Sequence, residues 1–324
     1  MLQIRRNWKK LTITMMLLTV LGIMFLTTIS AGLAQTTYYQ PGLKKGTELF
    51  TIELYDGDEW LISVGNFTNP SDWFGGDANI TGAQSKFTTT GWSTPALTTF
   101  ETLVYMILSP TQIPWLFVLA DYGYNETEIN EYFPDTYPSW YGLQSEWYFT
   151  VDTFKEQPSS TGTQAVVLTD PADYKIILDN YNAFVAEIQN ISSGVPPPIS
   201  GQFTNISADE FLWEFAFRGF TTAIPIESYL TELIDVLEPE NATSVGNRLI
   251  FDRTGVTDYT VEFLYGDRGT FSNVLVKNQA DLVIYSMTSS NSDWIFYMLL
   301  SITVVAAIGL TVFYILRNRK IKRK

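Results

Sequence analysis

The feature that most constrains this chain is an unbroken apolar run close to its C-terminus. Residues 294–316 (WIFYMLLSITVVAAIGLTVFYIL) are 23 residues without a charged side chain. As a helix this run is about 34 Å long, and the hydrocarbon core of a bilayer is about 30 Å thick. Aromatic residues lie near both ends of the run, where rings prefer the headgroup layer. The run therefore predicts a transmembrane helix over residues 293–316.

A short basic tail follows this predicted span and sets its orientation. Six of the eight residues 317–324 (RNRKIKRK) are arginine or lysine. Because basic flanks stay on the cytoplasmic side of a membrane, we expect the tail to lie in the cytoplasm. The chain before the span then lies outside the cell, at the plasma membrane.

The N-terminal residues 1–34 have the pattern of a secretory signal. Four basic residues precede an apolar run over residues 11–29, and small residues follow at 31–34. This pattern predicts a signal peptide cleaved after Ala34, although the long apolar part also fits an uncleaved anchor. In both cases residues 35–292 form an extracellular domain.

Another apolar stretch, residues 102–120, also lacks charged side chains. Pro110 and Pro114 interrupt it, and a further crossing would place either the basic tail or the acidic half of the chain on the wrong side. We therefore expect a core helix followed by a buried strand or loop.

Six N-x-S/T motifs fall between the two terminal apolar segments, where an extracellular domain would carry glycans. The predicted glycosylation sites are Asn66, Asn79, Asn125, Asn190, Asn205 and Asn241.

The charged residues are distributed unevenly. All 34 acidic residues but only 10 of the 20 basic ones lie between residues 35 and 293, which leaves that part with a net charge of −24. Such a surface repels phosphates, so nucleic-acid binding is excluded. The acidity favours either solubility in a salty medium or attraction of cations and basic partners, and composition does not decide between them.

Two residue types are missing altogether, since the chain contains no histidine and no cysteine. The absence of histidine removes the commonest general base and metal ligand, together with every Ser-His or Cys-His nucleophile. The absence of cysteine means that the extracellular domain relies on its hydrophobic core without disulfides. We accordingly expect no enzymatic activity and no resident cofactor.

The spacing of apolar residues predicts an α+β domain, with one or more antiparallel sheets and central helices. Residues 47–55 and 59–65 alternate in polarity and predict a β-hairpin that turns at Asp56-Gly57-Asp58. Helical spacing and capping residues predict helices from residue 170, over 207–218 and over 226–237. Residues 247–287 read as a strand meander. The proline-rich segment 193–201 is a stiff linker, which leaves open whether the domain is single or divided there into two lobes.

Two resemblances follow from these patterns. The whole plan of signal, acidic sequon-rich exterior, single C-terminal span and short basic tail resembles uncharacterised membrane-anchored surface proteins of archaea. The segment RLIFDRTGVTDYTVEFLY, within residues 247–287, resembles the strand-turn-strand of curved-sheet lipoprotein-like carriers. Neither resemblance carries a functional residue over to this chain.

An aromatic segment is the first candidate binding site. Eight of the eighteen residues 132–149 are aromatic, and rings displayed on a loop stack on sugar faces, although rings also fill cores. The candidate ligand-binding residues are Trp140, Tyr141, Trp147 and Tyr148.

Two groups of carboxylates are further candidates. Asp56, Asp58 and Glu59 provide the hard oxygen ligands that Ca²⁺ prefers, or simply form a hairpin turn. Glu210 and Glu214 lie one helical turn apart, as in the carboxylate pair of a glycosidase, or face solvent together.

The sequence thus predicts a non-enzymatic, membrane-anchored protein of the cell surface that binds a ligand or has an envelope or adhesion role. Its expected partners are the membrane and a carbohydrate or envelope protein. The alternative is a carboxylate-dependent carbohydrate-active enzyme at the cell surface.

Overall fold

The described part of the chain is built around one large antiparallel sheet. The computed structural model describes residues 39–94, 96–97, 101, 118–119, 121–122, 126–132, 136–151, 161–190, 201–217 and 220–291. The strands are β1 Gln40–Pro41, β2 Gly46–Tyr55, β3 Gln84–Ser93, β4 Ala96–Leu97, β5 Tyr137–Thr150, β6 Thr161–Leu168, β7 Ala223–Ile224, β8 Ala242–Val245, β9 Arg248–Thr254, β10 Asp258–Tyr265, β11 Phe271–Asn278 and β12 Val283–Asn291. The helices are α1 Gly57–Ser63, α2 Pro70–Phe74, α3 Glu126–Tyr132, α4 Ala172–Asn190, α5 Ala208–Phe217 and α6 Ile226–Leu237. The protein is therefore α+β, as its sequence predicts.

The order of the strands places the last strand in the middle of the sheet. From one edge to the other the order is β6-β5-β3-β2-β12-β11-β10-β9-β8. The short strand β4 follows β3 in sequence and pairs with the start of β5. β12 pairs with β2, so that Tyr285 lies opposite Tyr55 and Asn291 lies opposite Glu48. The β2–β12 pair joins the β3–β5–β6 side of the sheet to the predicted meander. A separate pair, β1 with β7, lies outside the large sheet.

One face of the sheet is covered by helices and carries a chain of aromatic contacts. Trp213 and Phe217 of α5 lie 5.3 and 5.1 Å, centroid to centroid, from Phe251 and Phe263 of the sheet. From α2, Phe74 stacks on Tyr285 of β12 at 5.9 Å. We call these rings and their neighbours the aromatic cluster; its members are Trp60, Trp73, Phe74, Trp213, Phe217, Phe251, Phe263 and Tyr285. Because these rings contact one another, most of them edge to face, the cluster fixes α2 and α5 against the sheet.

A buried tyrosine pair connects α4, α6 and β6. The hydroxyl of Tyr229 donates to the carbonyl oxygen of Leu168 at 2.7 Å, and the amide of Leu168 donates to the hydroxyl of Tyr174 at 3.2 Å. Both backbone groups at the end of β6 are thereby satisfied in the core, where an unpaired polar group costs about 1–3 kcal/mol.

Several predicted elements are confirmed. The capping box is present in the form expected, because the amide of Glu210 donates to the Ser207 hydroxyl and the amide of Ser207 donates to the Glu210 carboxylate. α4 buries the predicted apolar stripe from Tyr174 to Ile188. α6 covers residues 226–237, as predicted, and ends at Glu238 in the left-handed conformation. β9 to β12 form the predicted meander, to which the structure adds the short edge strand β8.

The second arm of the predicted N-terminal hairpin is wrong. Residues 57–63 form helix α1, because the Asp56 carboxylate accepts from the Glu59 amide at 3.1 Å and caps a helical turn. The spacing of Trp60 and Ser63 suits a helix, and both residues are buried. β2 pairs with β3 and β12 instead of with residues 59–65.

Several predictions fall outside the described residues. These are the signal segment 1–34, nearly all of the apolar stretch 102–120, most of the linker 193–201 and the predicted span 293–316. Among the helices that the structure describes, none has the length and apolar character needed to cross a bilayer.

One acidic side chain lies on the buried face of the sheet. The Glu48 carboxylate accepts from the Thr270 hydroxyl at 3.1 and 3.0 Å and lies 3.8 Å from the Arg268 guanidinium. Burial raises the pKa of Glu48 above its ordinary value, and the Thr270 hydrogen bond and the Arg268 charge offset only part of that rise. The folded state therefore binds a proton at Glu48 at a higher pH than the unfolded chain does.

We expect Glu48→Gln to stabilise the fold at pH 7 and to lose this advantage as the pH falls. At pH 7 the ionised Glu48 carboxylate is less favourable in the folded state than in the unfolded chain. This cost disappears as the pH falls from the raised folded-state pKa to the ordinary value of about 4.3, because the folded state then gains a proton. Thermal melts of both proteins at pH 7 and about pH 4 measure the effect. Glu53→Gln is the matched control, since Glu53 also accepts from a threonine hydroxyl (Thr288, 3.0 Å) but is exposed on the same strand. A Glu48→Gln difference that does not change with pH would contradict this account.

Candidate functional site

A polar cleft lies at the end of β9, β10 and β11 and is open to solvent. Its volume is about 460 Å³. The lining residues are carboxylates, amides and hydroxyls, with one arginine and one tyrosine: Asn241, Asp252, Arg253, Thr254, Asp258, Tyr259, Thr260, Asn278, Gln279 and Asp281.

Two threonine–aspartate pairs across the β9–β10 hairpin form one wall. Asp252 pairs with Thr260 and Thr254 with Asp258 in the strand register. The hydroxyl of Thr254 donates to Asp258 at 2.9 Å, and that of Thr260 to Asp252 at 3.3 Å. Since these positions alternate with buried residues on each strand, their side chains lie on the face of the sheet away from the core. Each carboxylate is oriented by one hydroxyl and keeps further acceptor positions for a ligand.

Arg253 connects the cleft to the aromatic cluster. Its guanidinium carbon lies 4.3 Å from the ring centroid of Trp213 on α5, a cation–π contact. Burial raises the pKa of the Tyr259 hydroxyl, and the neighbouring Arg253 charge offsets part of that rise. The arginine is thus held by stacking on one side and by a phenol on the other.

The start of α5 positions Asn241 at the rim of the cleft. The amides of Glu240 and Asn241 donate to the two carboxylate oxygens of Asp209 at 2.9 and 2.8 Å. The carbonyl of Asn241 accepts from the amide of Asp252 at 2.8 Å. Asp209 therefore ties the loop before β8 both to α5 and, through Asn241, to the wall of the cleft.

The β11–β12 turn forms the opposite rim. The side-chain oxygen of Asn278 accepts from the amides of Ala280 and Leu282, at 3.0 and 3.1 Å. Asp281 adopts a left-handed φ of 60° and lies 3.2 Å from the Lys277 ammonium. Lys277 also bonds Glu262 at 2.6 Å, and this hydrogen bond is the main cause of its raised pKa. The turn is fixed by its own hydrogen bonds and presents Gln279 at the cleft.

The predicted aromatic site lies elsewhere in the sheet. Trp140, Tyr141, Trp147 and Tyr148 belong to β5, a 14-residue strand, whereas the cleft lies across the sheet on β9 to β11. Trp140 and Tyr141 are both buried, and as consecutive strand residues they point to opposite faces. Tyr148 is exposed, and the side chain of Trp147 lies outside what the structure describes. The structure does not gather the three described rings into one exposed surface.

The predicted carboxylate groups have local structural partners. Asp56 caps α1, Asp58 is exposed in its first turn, and Glu59 accepts from the Asn278 side chain at 3.1 Å. In the described part of the chain no three acidic residues come together as a group that could hold a metal ion. Glu210 is part of the capping box of α5, and both it and Glu214 are exposed and outside the cleft.

The asparagines of the predicted glycosylation sites are exposed wherever the structure describes them. This holds for Asn66, Asn79, Asn190, Asn205 and Asn241, while Asn125 lies outside the described residues. Each of the five is thus open to the solvent at the position where a glycan would be attached.

The sequence contained a signal for the cleft. On both sides of Gly255 polar residues alternate with others, Asp252 and Thr254 before it and Asp258 and Thr260 after it, which predicts a polar face on a hairpin. The contribution of Asn241 depends instead on its tertiary hydrogen bond to Asp209, and no local pattern contains that bond. The turn at 278–281 is fixed by local hydrogen bonds to Asn278, but its place beside the β9–β10 hairpin is a matter of tertiary structure.

No family model, no curated protein and no solved structure matched this chain. The chemistry of the cleft itself therefore decides which ligands it fits.

We expect Asp209→Ala to destabilise the protein by about 1–3 kcal/mol, because two backbone amides lose a charged acceptor. Hydrogen exchange of the Glu240 and Asn241 amides should rise with it. Asp179→Ala is the control: its exposed ion pair with Lys175 contributes at most about 0.5 kcal/mol. Equal effects of the two substitutions on melting temperature would contradict the tethering role of Asp209.

Proposed function

We propose that this chain is a non-enzymatic, membrane-anchored protein of the cell surface, and that its extracellular part binds a carbohydrate in the polar cleft. The class of ligand is inferred from the side chains that line the cleft. Three aspartates, three amide side chains and two threonines surround an opening of about 460 Å³. Sugar hydroxyls both donate and accept, and this set of groups offers both acceptors and donors.

The charge of the cleft argues against other ligand classes. Asp252, Asp258 and Asp281 outnumber the single lining cation, Arg253. Phosphates and other anions are repelled by such a site. Large apolar ligands are disfavoured because the lining offers carboxylates, amides and hydroxyls that an apolar ligand leaves unpaired. A neutral or cationic glycan satisfies the same groups with hydrogen bonds.

The location at the cell surface is supported by features outside the described residues and by one feature within them. The apolar run 294–316 and the basic tail support a single span with the tail in the cytoplasm. The exposure of five sequon asparagines supports an exterior accessible to glycosylation.

The test is glycan binding by the purified full-length chain in neutral-lipid nanodiscs. We expect a glycan array to identify a neutral or amino-sugar ligand. In calorimetric titrations Asp252→Ala and Asp258→Ala should each weaken its affinity about tenfold or more, a loss of about 1.4 kcal/mol. Asp179→Ala, on the exposed face of α4, should bind as the unchanged protein does.

Two results would contradict the proposal. If no glycan on the array binds, or if the cleft variants bind as tightly as the unchanged protein, the cleft is not the site. If the bound glycan is released in cleaved form, the alternative of a carboxylate-dependent carbohydrate-active enzyme replaces the binding function.

A further inference from the structure

Five exposed apolar side chains lie on α1 and on the loop and turns next to it, at one end of the sheet. We call them the distal apolar patch: Leu61 and Ile62 on α1, Phe67 in the following loop, Val256 in the β9–β10 turn and Leu282 in the β11–β12 turn. Their exposed fractions range from 53% at Leu61 to 98% at Phe67. Single exposed apolar residues are ordinary on protein surfaces, but a group of them on one surface marks an interaction site.

Hydrogen bonds from both turns to α1 make the patch one surface. The amides of Val256 and Thr257 donate to the Ser63 carbonyl at the C-terminal end of α1, at 2.9 and 3.0 Å. Gly255 lies so close to the helix that a Cβ there would come within 2.6 Å of the same oxygen. At the N-terminal end of α1, the Asn278 side chain donates to Glu59 at 3.1 Å.

The exposure of Leu61 and Ile62 does not serve the fold. α1 directs Trp60 and Ser63 into the core, and its solvent-facing side carries Asp58, Leu61 and Ile62. A polar residue at either apolar position would keep the helix and increase solubility. Two large aliphatic side chains on this short helix therefore indicate a surface that a binding partner covers when the protein functions.

The charges around the patch define its partner. Asp56 caps α1 and Asp58 lies in its first turn, Asp258 follows the β9–β10 turn, and Asp281 precedes Leu282. Two described cations lie at this end of the sheet: Lys277 is paired with Glu262 and Asp281, and Arg253 stacks on Trp213. An acidic rim repels a second copy of the same patch and an anionic membrane surface, and it attracts a basic one.

The course of β12 places the patch away from the predicted membrane span. β12 begins at Val283, next to the patch, and its nine residues lead to Asn291 at the opposite end of the sheet, about 30 Å away. The predicted span begins two residues after Asn291. This step rests on the proposed anchoring in the membrane.

We infer that the distal apolar patch is a docking surface for another protein, whose contact face carries apolar side chains surrounded by lysine or arginine. Its position at the end of the sheet remote from the span suits a partner in the extracellular space or on an opposing surface. The asparagine of the Asn66 sequon lies directly before Phe67, so a glycan there stands at the edge of the patch.

The test uses a synthetic amphipathic helix with leucines on one face and lysines on its flanks, and the full-length chain in neutral-lipid nanodiscs. We expect this peptide to bind at least tenfold more tightly than a scrambled peptide of the same composition. The double substitution Leu61→Ser/Ile62→Ser and the single substitution Phe67→Ser should each weaken its binding about tenfold. Ile176→Ser is the matched control, since Ile176 is an exposed aliphatic residue on α4, and it should leave binding unchanged.

Several outcomes would overturn the inference. Equal binding of the scrambled peptide shows attraction by charge alone, and an equal effect of Ile176→Ser shows a nonspecific apolar contact. Sedimentation that reveals a dimer abolished by Phe67→Ser assigns the patch to a second copy, and attachment to anionic vesicles through the patch assigns it to a membrane. Loss of peptide binding in Asn66→Gln would assign the contact to a glycan.

Asp252→Ala separates this inference from the proposed carbohydrate site. The substitution should weaken glycan binding about tenfold or more and leave peptide binding within twofold of the unchanged protein, because Asp252 lies outside the patch. If Asp252→Ala weakens peptide binding as much as Phe67→Ser does, the peptide occupies the cleft and the inference is wrong.

Discussion

Burial of aromatic side chains against a large antiparallel sheet holds the described part of this structure together. Without disulfides, the described residues are held together by their core, and α2 and α5 are attached to the sheet through the rings of the aromatic cluster. Burying one such ring contributes about 1.5–3 kcal/mol, and edge-to-face contact adds about 0.5–1.5 kcal/mol. The cleft is connected to this core through Arg253, whose guanidinium stacks on Trp213 of the aromatic cluster.

Near the β9–β10 turn one face of the sheet packs into the core, and the other face, with the turn itself, is open to solvent. The threonine–aspartate pairs of the cleft lie on the face away from the core, and the distal apolar patch lies where the turns meet α1. Both surfaces share the meander β9 to β12, whose turns are tied to α1 and whose first strand is tied to α5 through Asn241. A polar cleft and an apolar patch thus adjoin at the same two turns, and Asp258 and Asp281 lie between them.

Much of the fold follows from local patterns in the sequence, and the exceptions have physical causes. α4 and α6 are predictable because their apolar stripes persist over several turns, and β9 to β12 are predictable because glycine and asparagine turns separate alternating strands. α1 is so short that the spacing of its apolar residues does not distinguish a helix from a strand. The helix forms because the Asp56 carboxylate caps its first turn. The pairing of β12 with β2 joins residues at least 230 positions apart, such as Tyr285 and Tyr55, and no local pattern contains that pairing. Of the cleft residues, those of the hairpin from Asp252 to Thr260 could be predicted from their alternating pattern. Asn241 could not, because its position depends on the hydrogen bond of its amide to Asp209.

We propose that the sheet lies outside the cell and the C-terminal tail in the cytoplasm, and the lack of cysteine allows a direct measurement. One cysteine is placed at Val256, which is 66% exposed in the β9–β10 turn, and in a second variant one cysteine is added after Lys324. A membrane-impermeant maleimide is then applied to intact cells and to lysed cells. The account predicts labelling at residue 256 without lysis and labelling at the C-terminus only after lysis. Labelling of the C-terminal cysteine on intact cells, or protection of residue 256 until lysis, would contradict it.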